Sequence, residues 1–212
     1  RLIPTFIKNN FMKQFYIIAL SFLVTLTSFS QQMPVDFENT NHVFSGFSGA
    51  SFSRETDPDN ASNKVGQFNN DGAIADQGFY IDLNRAIDLT NEKEITLSFY
   101  AFDPNQHTVL VKLENGTNPN VEVLQTISSG NATDWQNLTF DFSSAKETSS
   151  GNTINASGTY TELVVIIDLS QTIAGTYLLD YFSAGTIPSE PNSLDVVSDK
   201  LVFFYEFFDN TR

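Results

Sequence analysis

The sequence predicts an all-β fold, a β-sandwich of about nine antiparallel strands in two sheets. From Val35 onward, short runs of alternating apolar and polar residues are separated by clusters of Gly, Asn, Asp, Pro and Ser, and no segment keeps a helical period for ten residues. The chain has no cysteine, so the apolar core must stabilise the fold without disulfides. About 150 residues between Gln31 and Ser183 are enough for one such two-layer core.

The predicted strands follow one another along the chain with short turns between them. The turns have local causes, because Asp103-Pro104-Asn105 presets a φ angle and Asn115-Gly116 tolerates left-handed backbone geometry. The strands are predicted at Val35–Glu38, Lys64–Phe68, Gly78–Leu83, Glu94–Phe102, Thr108–Glu114, Val121–Ile127, Gln136–Phe142, Leu163–Leu169 and Thr176–Phe182.

Alternation within these strands predicts which side chains form the core. Successive side chains of a strand point to opposite faces, so every second residue of a run shares one side. Burial of each large apolar side chain contributes about 1.5 to 3 kcal/mol. The residues expected to point inward are Ile95, Leu97, Phe99, Ala101, Val109, Val111, Leu113, Leu138, Phe140, Phe142, Leu163, Val165, Ile167 and Leu169.

The N-terminal part has the features of a secretory signal peptide. Residues 12–30 combine a basic start at Lys13, an apolar run and the small-x-small site Ser28-Phe29-Ser30. Residues 1–11 would then be a translated extension upstream of the natural start. The mature protein is expected to begin at Gln31 and to be secreted, either outside the cell or into a periplasm.

The composition changes again after the last predicted strand. Residues 186–199 form a polar stretch with several prolines that is typical of an interdomain linker. Residues 200–212 are apolar and aromatic, like a strand that has no partner to cover it. The domain is therefore expected to span 31–185, and 200–212 to be the truncated start of a second domain.

The net charge of the chain restricts the classes of partner. It is −14 at pH 7, and residues 1–30 carry three basic residues and no acidic one, so a chain without them is more acidic still. Such a chain is repelled by nucleic acid and by anionic lipid. Neutral ligands or cations fit better, and neither nucleic acid nor a membrane is expected as a partner after signal cleavage.

Several segments together carry a family resemblance. They are Asp36-Phe37-Glu38, the stretch 57–66, Val111 to Asn115, Asp134 to Phe142 and Tyr177 to Phe182. In this order they resemble the β-jelly-roll carbohydrate-binding modules of secreted bacterial polysaccharide-degrading enzymes, particularly those of Flavobacteria and their relatives. The resemblance implies a jelly-roll sandwich that binds a polysaccharide.

The tail resembles a second family. Leu201 to Asp209 is similar to the opening of family 16 glycoside hydrolases, which include laminarinases, although Phe204-Tyr205 stand where that family has Ser-Asp. The resemblance implies a covalently linked downstream catalytic domain and makes a β-glucan such as laminarin the first candidate glycan. The family's Glu-x-Asp-x-x-Glu catalytic segment does not occur in these 212 residues, so this chain is expected to bind and not to cleave.

The module resemblance also implies a structural calcium ion between the first and last strands. Glu38, Asp180 and Asp36 are the expected carboxylate ligands, because Ca²⁺ prefers oxygen ligands. The alternative is that these are solvated carboxylates at a sheet edge. The acidic loop at Asp57 is interpreted as a turn, and His42 and His107 have no metal-ligand spacing around them.

A glycan site requires aromatic faces that stack on sugar rings and polar groups that bond hydroxyls, both held on a rigid sheet. If strands 94–102 and 108–114 form a hairpin, their outward side chains form such a surface. The alternative is that the aromatics only cover an edge of the sandwich, and the lone Trp135 is interpreted as a packing residue. The candidate ligand-binding residues are Tyr80, with its neighbour Phe79, Tyr100, Phe102, Lys112, Glu114 and Glu122.

Three functions are therefore open from the sequence. The first is a non-catalytic module that targets a secreted enzyme to its polysaccharide. The second is a calcium-stabilised spacer or adhesion domain that binds no glycan. The third is an enzyme in which Glu114 and Glu122 act as acid and base.

Overall fold

A computed structural model describes residues 33–184, and in this range the chain folds as a β-sandwich. The seven-stranded sheet has the order β1-β4-β11-β6-β7-β9-β10, and the five-stranded sheet has the order β2-β3-β12-β5-β8. The strands are β1 Ser45–Phe47, β2 Ser51–Thr56, β3 Lys64–Asp71, β4 Gly78–Asp88, β5 Glu94–Ala101, β6 His107–Glu114, β7 Val121–Ile127, β8 Gln136–Asp141, β9 Ala145–Glu147, β10 Thr153–Ile154, β11 Thr159–Ile167 and β12 Ala174–Ala184.

All neighbouring strands in both sheets are antiparallel. The predicted all-β sandwich is thus confirmed, and eight of the nine predicted strands coincide with observed ones. The structure adds four strands, β1, β2, β9 and β10, of which all but β2 have three residues or fewer. Short edge strands such as Thr153–Ile154 are too brief to show the alternation by which longer strands are found.

The core lies between the two sheets and follows the predicted alternation. The inward residues of β5 and β6 are all buried, and so are Phe140 and Phe142. Leu138 is only partly buried and packs against the core from β8, at the edge of the five-stranded sheet. Leu169 departs from the prediction, because Asp168 adopts a left-handed φ of 57° that ends the strand, and Leu169 then lies on the outer surface.

The hairpin expected between residues 94–102 and 108–114 does not form. β5 belongs to the five-stranded sheet and β6 to the seven-stranded sheet, so the chain crosses between the sheets through residues 102–106. At the end of β5 the Ala101 amide donates to the Ala132 carbonyl of a loop (2.6 Å) instead of pairing with β6. Both strands still point their apolar side chains into the same core, which is why alternation alone could not distinguish the two arrangements.

The first predicted strand, Val35–Glu38, is reduced to one bridge. Val35 pairs with Phe182 through two backbone hydrogen bonds of 2.9 Å, but Phe37 adopts a φ of 59°. This left-handed residue breaks the two-residue repeat of a strand. Alternation in the predicted strand Val35–Glu38 would place Asp36 and Glu38 on one face, but the structure has no regular strand there.

The signal peptide, the linker and the second-domain start lie outside the described residues. No helix within residues 33–184 is long and apolar enough to cross a membrane.

Candidate functional site

Four of the six candidate ligand-binding side chains lie on the outer face of the seven-stranded sheet. Tyr80 pairs with Val164, Val164 with Lys112, and Lys112 with Glu122. These side chains, of which one is aromatic, one aliphatic and two charged, form a mixed row across β4, β11, β6 and β7. Neighbouring strands are about 4.8 Å apart, which brings these side chains into mutual reach. Glu114 lies two residues from Lys112 on the same face.

An apolar row runs beside this mixed row on the same face. Phe47 pairs with Gly78, Gly78 with Ile166, Ile166 with Leu110, and Leu110 with Leu124. A Cβ atom on Gly78 would be 2.3 Å from the Phe47 ring, so only glycine lets that ring lie against the sheet here. The result is an aromatic and aliphatic strip next to Tyr80.

An acidic row lies on the other side of the mixed row. Asp82 pairs with Glu162, and Glu162 with Glu114. Burial, together with the neighbouring Glu114 and Asp82 carboxylates, raises the pKa of Glu162. Asn115 Nδ2 donates to Glu162 Oε2 (2.9 Å) and Asn120 Nδ2 donates to Glu114 Oε1 (3.0 Å), so amide groups also line this row.

Lys112 and Glu114 form an ion pair on this face. Burial opposes ionisation of Glu114, but hydrogen bonding and charge from Lys112 lower its pKa. Glu122 accepts a hydrogen bond from Thr148 Oγ1 (3.1 Å) and faces Lys146 of β9. The face therefore carries charges of both signs within a few ångströms, which suits hydrogen bonding to hydroxyl groups.

A cleft of about 470 Å³ opens at the β7 end of this face. It lies where the apolar row meets the mixed row, and both rows contribute to its walls. Its lining residues are Leu110, Glu122, Val123, Leu124, Gln125, Asp141, Ser144, Lys146 and Leu169.

The remaining two candidates, Tyr100 and Phe102, do not join this face. They lie on the outer side of the five-stranded sheet, because β5 pairs with β12 and β8 and not with β6. There Tyr100 packs against Phe102 and against Trp135. Trp135 is only partly buried and lies beside the outward residue Tyr100, so its packing is on the surface of the sheet.

The carboxylates expected to bind calcium are already engaged with protein groups. Glu38 Oε1 accepts from the Lys64 amide (2.7 Å). Asp36 Oδ1 accepts from the Glu38 amide (3.1 Å) and lies 3.2 Å from His42 Nδ1. Burial lowers the pKa of His42 despite the nearby Asp36 charge.

The carboxylate paired with Asp180 is Asp57. Asn63 Nδ2 donates to Asp180 Oδ2 and to Asp57 Oδ2, each at 3.0 Å. Burial raises the pKa of Asp180 to about 6, with the charges of Asp36 and Asp57 adding to it. Among residues 33–184, no group of three or more His, Cys, Asp or Glu side chains is arranged to hold a metal ion.

Several residues of the outer face were not among the predicted site residues. Glu162 precedes Leu163, which was predicted to be inward, and Asp82 lies between the buried residues Ile81 and Leu83, so alternation could have placed both outside. Phe47 lies on β1, a strand of three residues without a detectable pattern. Phe79, named beside Tyr80, is fully buried, because neighbouring residues of a strand face opposite ways.

No family model matches the sequence, and no curated protein matches it. Solved structures do resemble the fold. The carbohydrate-binding module CtCBM11, known from its solution structure, matches with a TM-score of 0.52 and 14% identity over 76% of this chain and 99% of that one. An exo-β-agarase matches with a TM-score of 0.53 and 13% identity over 74% of this chain, but over only 25% of the enzyme. The agarase AgWH50C matches with a TM-score of 0.50 and 12% identity over 72% of this chain and 26% of the enzyme.

At these identities the likeness establishes the fold alone. The sandwich is one that carbohydrate-binding modules use, and in the two agarases the matching region is about a quarter of the chain. Of these three structures, CtCBM11 is matched over nearly its whole length.

Proposed function

We propose that this domain is a non-catalytic carbohydrate-binding module that holds a neutral polysaccharide on the outer face of its seven-stranded sheet. The observation that carries the proposal is the register that brings Tyr80, Lys112 and Glu122 into one row beside an apolar row. These side chains come from separate strands, so the fold itself assembles the surface.

The chemistry of this face matches that of a sugar chain. A pyranose ring has an apolar face, which can stack on Tyr80 and Phe47, and hydroxyl groups, which can bond to charged and amide side chains. Hydrogen bonds to ionised groups such as Glu122 and Lys112 are stronger than those between neutral groups. The net charge of −14 disfavours anionic polysaccharides and favours neutral ones.

We propose a β-glucan such as laminarin as the glycan, on the strength of the hydrolase-like tail at residues 201–209. The signal-peptide features of residues 12–30 lead us to propose also that the domain at 31–185 is secreted. Residues 186–199 then link it to a polysaccharide-degrading catalytic domain that begins at 200–212. Determining the N-terminal residue of the exported protein tests the expected cleavage before Gln31.

Replacement of Tyr80 by alanine is expected to weaken binding to laminarin about fivefold to tenfold. The loss of one stacking aromatic corresponds to about 1 to 1.4 kcal/mol. Retardation in laminarin affinity gels, with xylan, mannan and agar in parallel, measures the effect. Ile74→Ala is the control, because Ile74 is 52% exposed and lies outside both sheets, between β3 and β4.

Two outcomes would contradict this proposal. Equal migration of the wild type with and without every glycan would leave the spacer or adhesion role as the better account. Turnover of a glycan by the isolated chain that disappears in Glu114→Gln would show an enzyme instead, with Glu114 as one of its carboxylates.

We also propose a structural calcium ion at Asp180, with Glu38 and Asp36 as further oxygen donors. The donor chemistry fits, because carboxylate and carbonyl oxygens are the ligands that Ca²⁺ prefers. The half-buried Asp180 carboxylate also lies close enough to Asp36 and Asp57 to be repelled by them, and a cation would relieve that repulsion.

Millimolar calcium is therefore expected to raise the midpoint of thermal unfolding, and a chelator to reverse the rise. A ligand at one hundred times its dissociation constant adds about 2.7 kcal/mol to the free energy of unfolding. The increment should vanish in Asp180→Asn and persist in Asp59→Asn, which changes an exposed carboxylate of the neighbouring turn. The same midpoint in calcium and in chelator for the wild type would exclude this ion.

A further inference from the structure

The outer side of the five-stranded sheet carries an aromatic cluster formed by Tyr100, Phe102 and Trp135. The Tyr100 and Phe102 ring centroids are 5.2 Å apart at an interplanar angle of 78°, and those of Tyr100 and Trp135 are 5.6 Å apart at 48°. Phe102 is 55% exposed, which is unusual for a side chain of its size. The cluster therefore presents aromatic surface to solvent.

The indole of Trp135 is fixed by a hydrogen bond from its ring nitrogen to Asp57. Its Nε1–H donates to Asp57 Oδ1 (3.3 Å), and Asp57 is itself buried and accepts from the Asp59 amide (2.9 Å) and from Asn63 Nδ2 (3.0 Å). Hydrogen bonds from Asn63, Asp59 and Trp135 lower the pKa of Asp57 against the effect of burial, so it stays an ionised acceptor. A side chain with a satisfied polar end and a fixed ring is a preorganised platform.

Neutral polar groups lie next to the cluster on the same face. Tyr100 pairs with Leu178, which pairs with Gln67, and Thr176 pairs with Asn69. Thr176 Oγ1 and Asn69 Oδ1 are 2.8 Å apart, and Gln67, Asn69 and Thr176 are each partly exposed. Amide and hydroxyl groups beside an aromatic platform are the groups that recognise uncharged hydroxyl-bearing rings.

We propose that the Tyr100–Phe102–Trp135 cluster is a second carbohydrate-binding surface, on the opposite sheet from the face that carries Tyr80. Its occupant is a neutral polysaccharide, because Gln67, Asn69 and Thr176 offer hydrogen bonds without formal charge. A second copy of this chain fits less well, since two chains of net charge −14 repel each other. One domain with two opposite surfaces can bridge two polysaccharide chains.

Trp135 provides a direct test because it is the only tryptophan of the chain. Its emission reports on the cluster and not on the Tyr80 face, which lies across the core. With the full chain and laminarin as probe, and xylan, mannan and soluble agar oligosaccharides in parallel, we expect a saturable change in tryptophan emission. The change should require at least fivefold more glycan in Phe102→Ala.

Two further variants separate this surface from the first. Tyr80→Ala should leave the emission titration within twofold of the wild type, even where it loses retention in affinity gels. Ile74→Ala removes a comparably exposed apolar side chain (52%) elsewhere and should change neither measurement. Because Phe102 is largely exposed, its variant should keep the wild-type unfolding midpoint, which checks that the fold is intact.

Four results would contradict the second surface, and each has a different explanation. Gel retention of the wild type with unchanged tryptophan emission would leave the first face alone. An emission change that is lost in Tyr80→Ala would be a response to binding at the first face. A shift that depends on protein concentration without glycan would indicate self-association through the cluster. Absence of both retention and emission change would remove the proposed function as well.

Discussion

Replacement of Asp168 by asparagine is expected to lower the free energy of unfolding by about 3 kcal/mol. Asp168 is buried directly after β11, and its carboxylate contacts three hydrogen-bonding groups. Its Oδ2 atom lies 2.9 Å from His107 Nδ1 and accepts from the Tyr177 hydroxyl (2.8 Å), while its Oδ1 atom accepts from the Thr108 amide (3.0 Å). Removing the charge leaves the buried His107 without its main counter-ion.

This network joins the two sheets of the sandwich. His107 belongs to β6 and Tyr177 to β12, and the two rings contact edge to face at 5.3 Å. Asparagine is the informative substitution because it has nearly the same shape and, like aspartate, tolerates the left-handed φ of 57° at this position. The measured loss therefore reports on charge and hydrogen bonding and not on backbone strain.

The loss of unfolding free energy in Asp168→Asn should depend on pH. Despite burial, hydrogen bonding and charge from Asp168, with Asp103 adding, raise the pKa of His107 above its ordinary 6.5, and the His107 hydrogen bond contributes to lowering the pKa of Asp168 below 3.8. The stabilisation from His107 is complete below about pH 6.5 and is lost as pH rises through its raised pKa. That from Asp168 is present above about pH 4 and is lost as pH falls through its lowered pKa. The stability difference between wild type and Asp168→Asn should therefore be largest between about pH 4 and 6.5.

Chemical denaturation at several pH values measures this difference. Asp103→Asn is the matched control, because Asp103 Oδ1 also contacts His107, at Nε2 (3.2 Å), but its side chain is 43% exposed. An exposed partner of this kind contributes about 1 kcal/mol or less. Equal losses in the two variants, or a loss independent of pH, would contradict a buried charged network.

The sequence predicted where most strands lie, but not which strands pair with each other. Alternation in a strand such as Glu94–Ala101 reports only which side faces the core, and the structure confirms that assignment for Phe99 and its neighbours. It does not report which strand lies alongside. The next strand faces the same core from the opposite sheet, and its pattern would look the same in a hairpin.

Because alternation does not report strand pairing, only part of the site could be predicted. Tyr80, Lys112, Glu114 and Glu122 lie together because strands β4, β6 and β7 belong to one sheet through β11. The predicted hairpin placed Lys112 and Glu114 beside Tyr100 and Phe102, and the observed strand pairing separates the two pairs. Phe47 could not be found, since its contact with Gly78 depends on the pairing of a three-residue strand.

The second large effect is expected for Phe37→Ala, which should destabilise the domain by about 3 to 5 kcal/mol. Phe37 is fully buried, and its ring lies 5.8 to 6.4 Å from those of Phe44, Phe52, Phe68 and Phe182. Its removal opens a cavity at the centre of an aromatic cluster. Such a cavity cannot be refilled without moving several rings at once.

The backbone at Phe37 makes a second, sharper comparison possible. Its φ of 59° is costly for any residue with a Cβ atom, by about 1 to 2 kcal/mol, and glycine avoids that cost. The position is held by packing and by the Phe37 amide, which donates to His42 Nδ1 (3.1 Å). Phe37→Gly should thus be as stable as Phe37→Ala, or more stable by up to about 1 kcal/mol, although glycine ordinarily destabilises a fixed backbone.

Denaturant unfolding of the two variants beside the wild type measures both effects. Phe52→Ala serves as the control for ring removal, because Phe52 touches the same cluster from β2 but is only partly buried, so its loss should be smaller. If Phe37→Gly were about 1 kcal/mol less stable than Phe37→Ala, residue 37 would not be left-handed in solution. Asp36 and Glu38 could then share one face of a regular first strand, which is the arrangement that the sequence alone predicts.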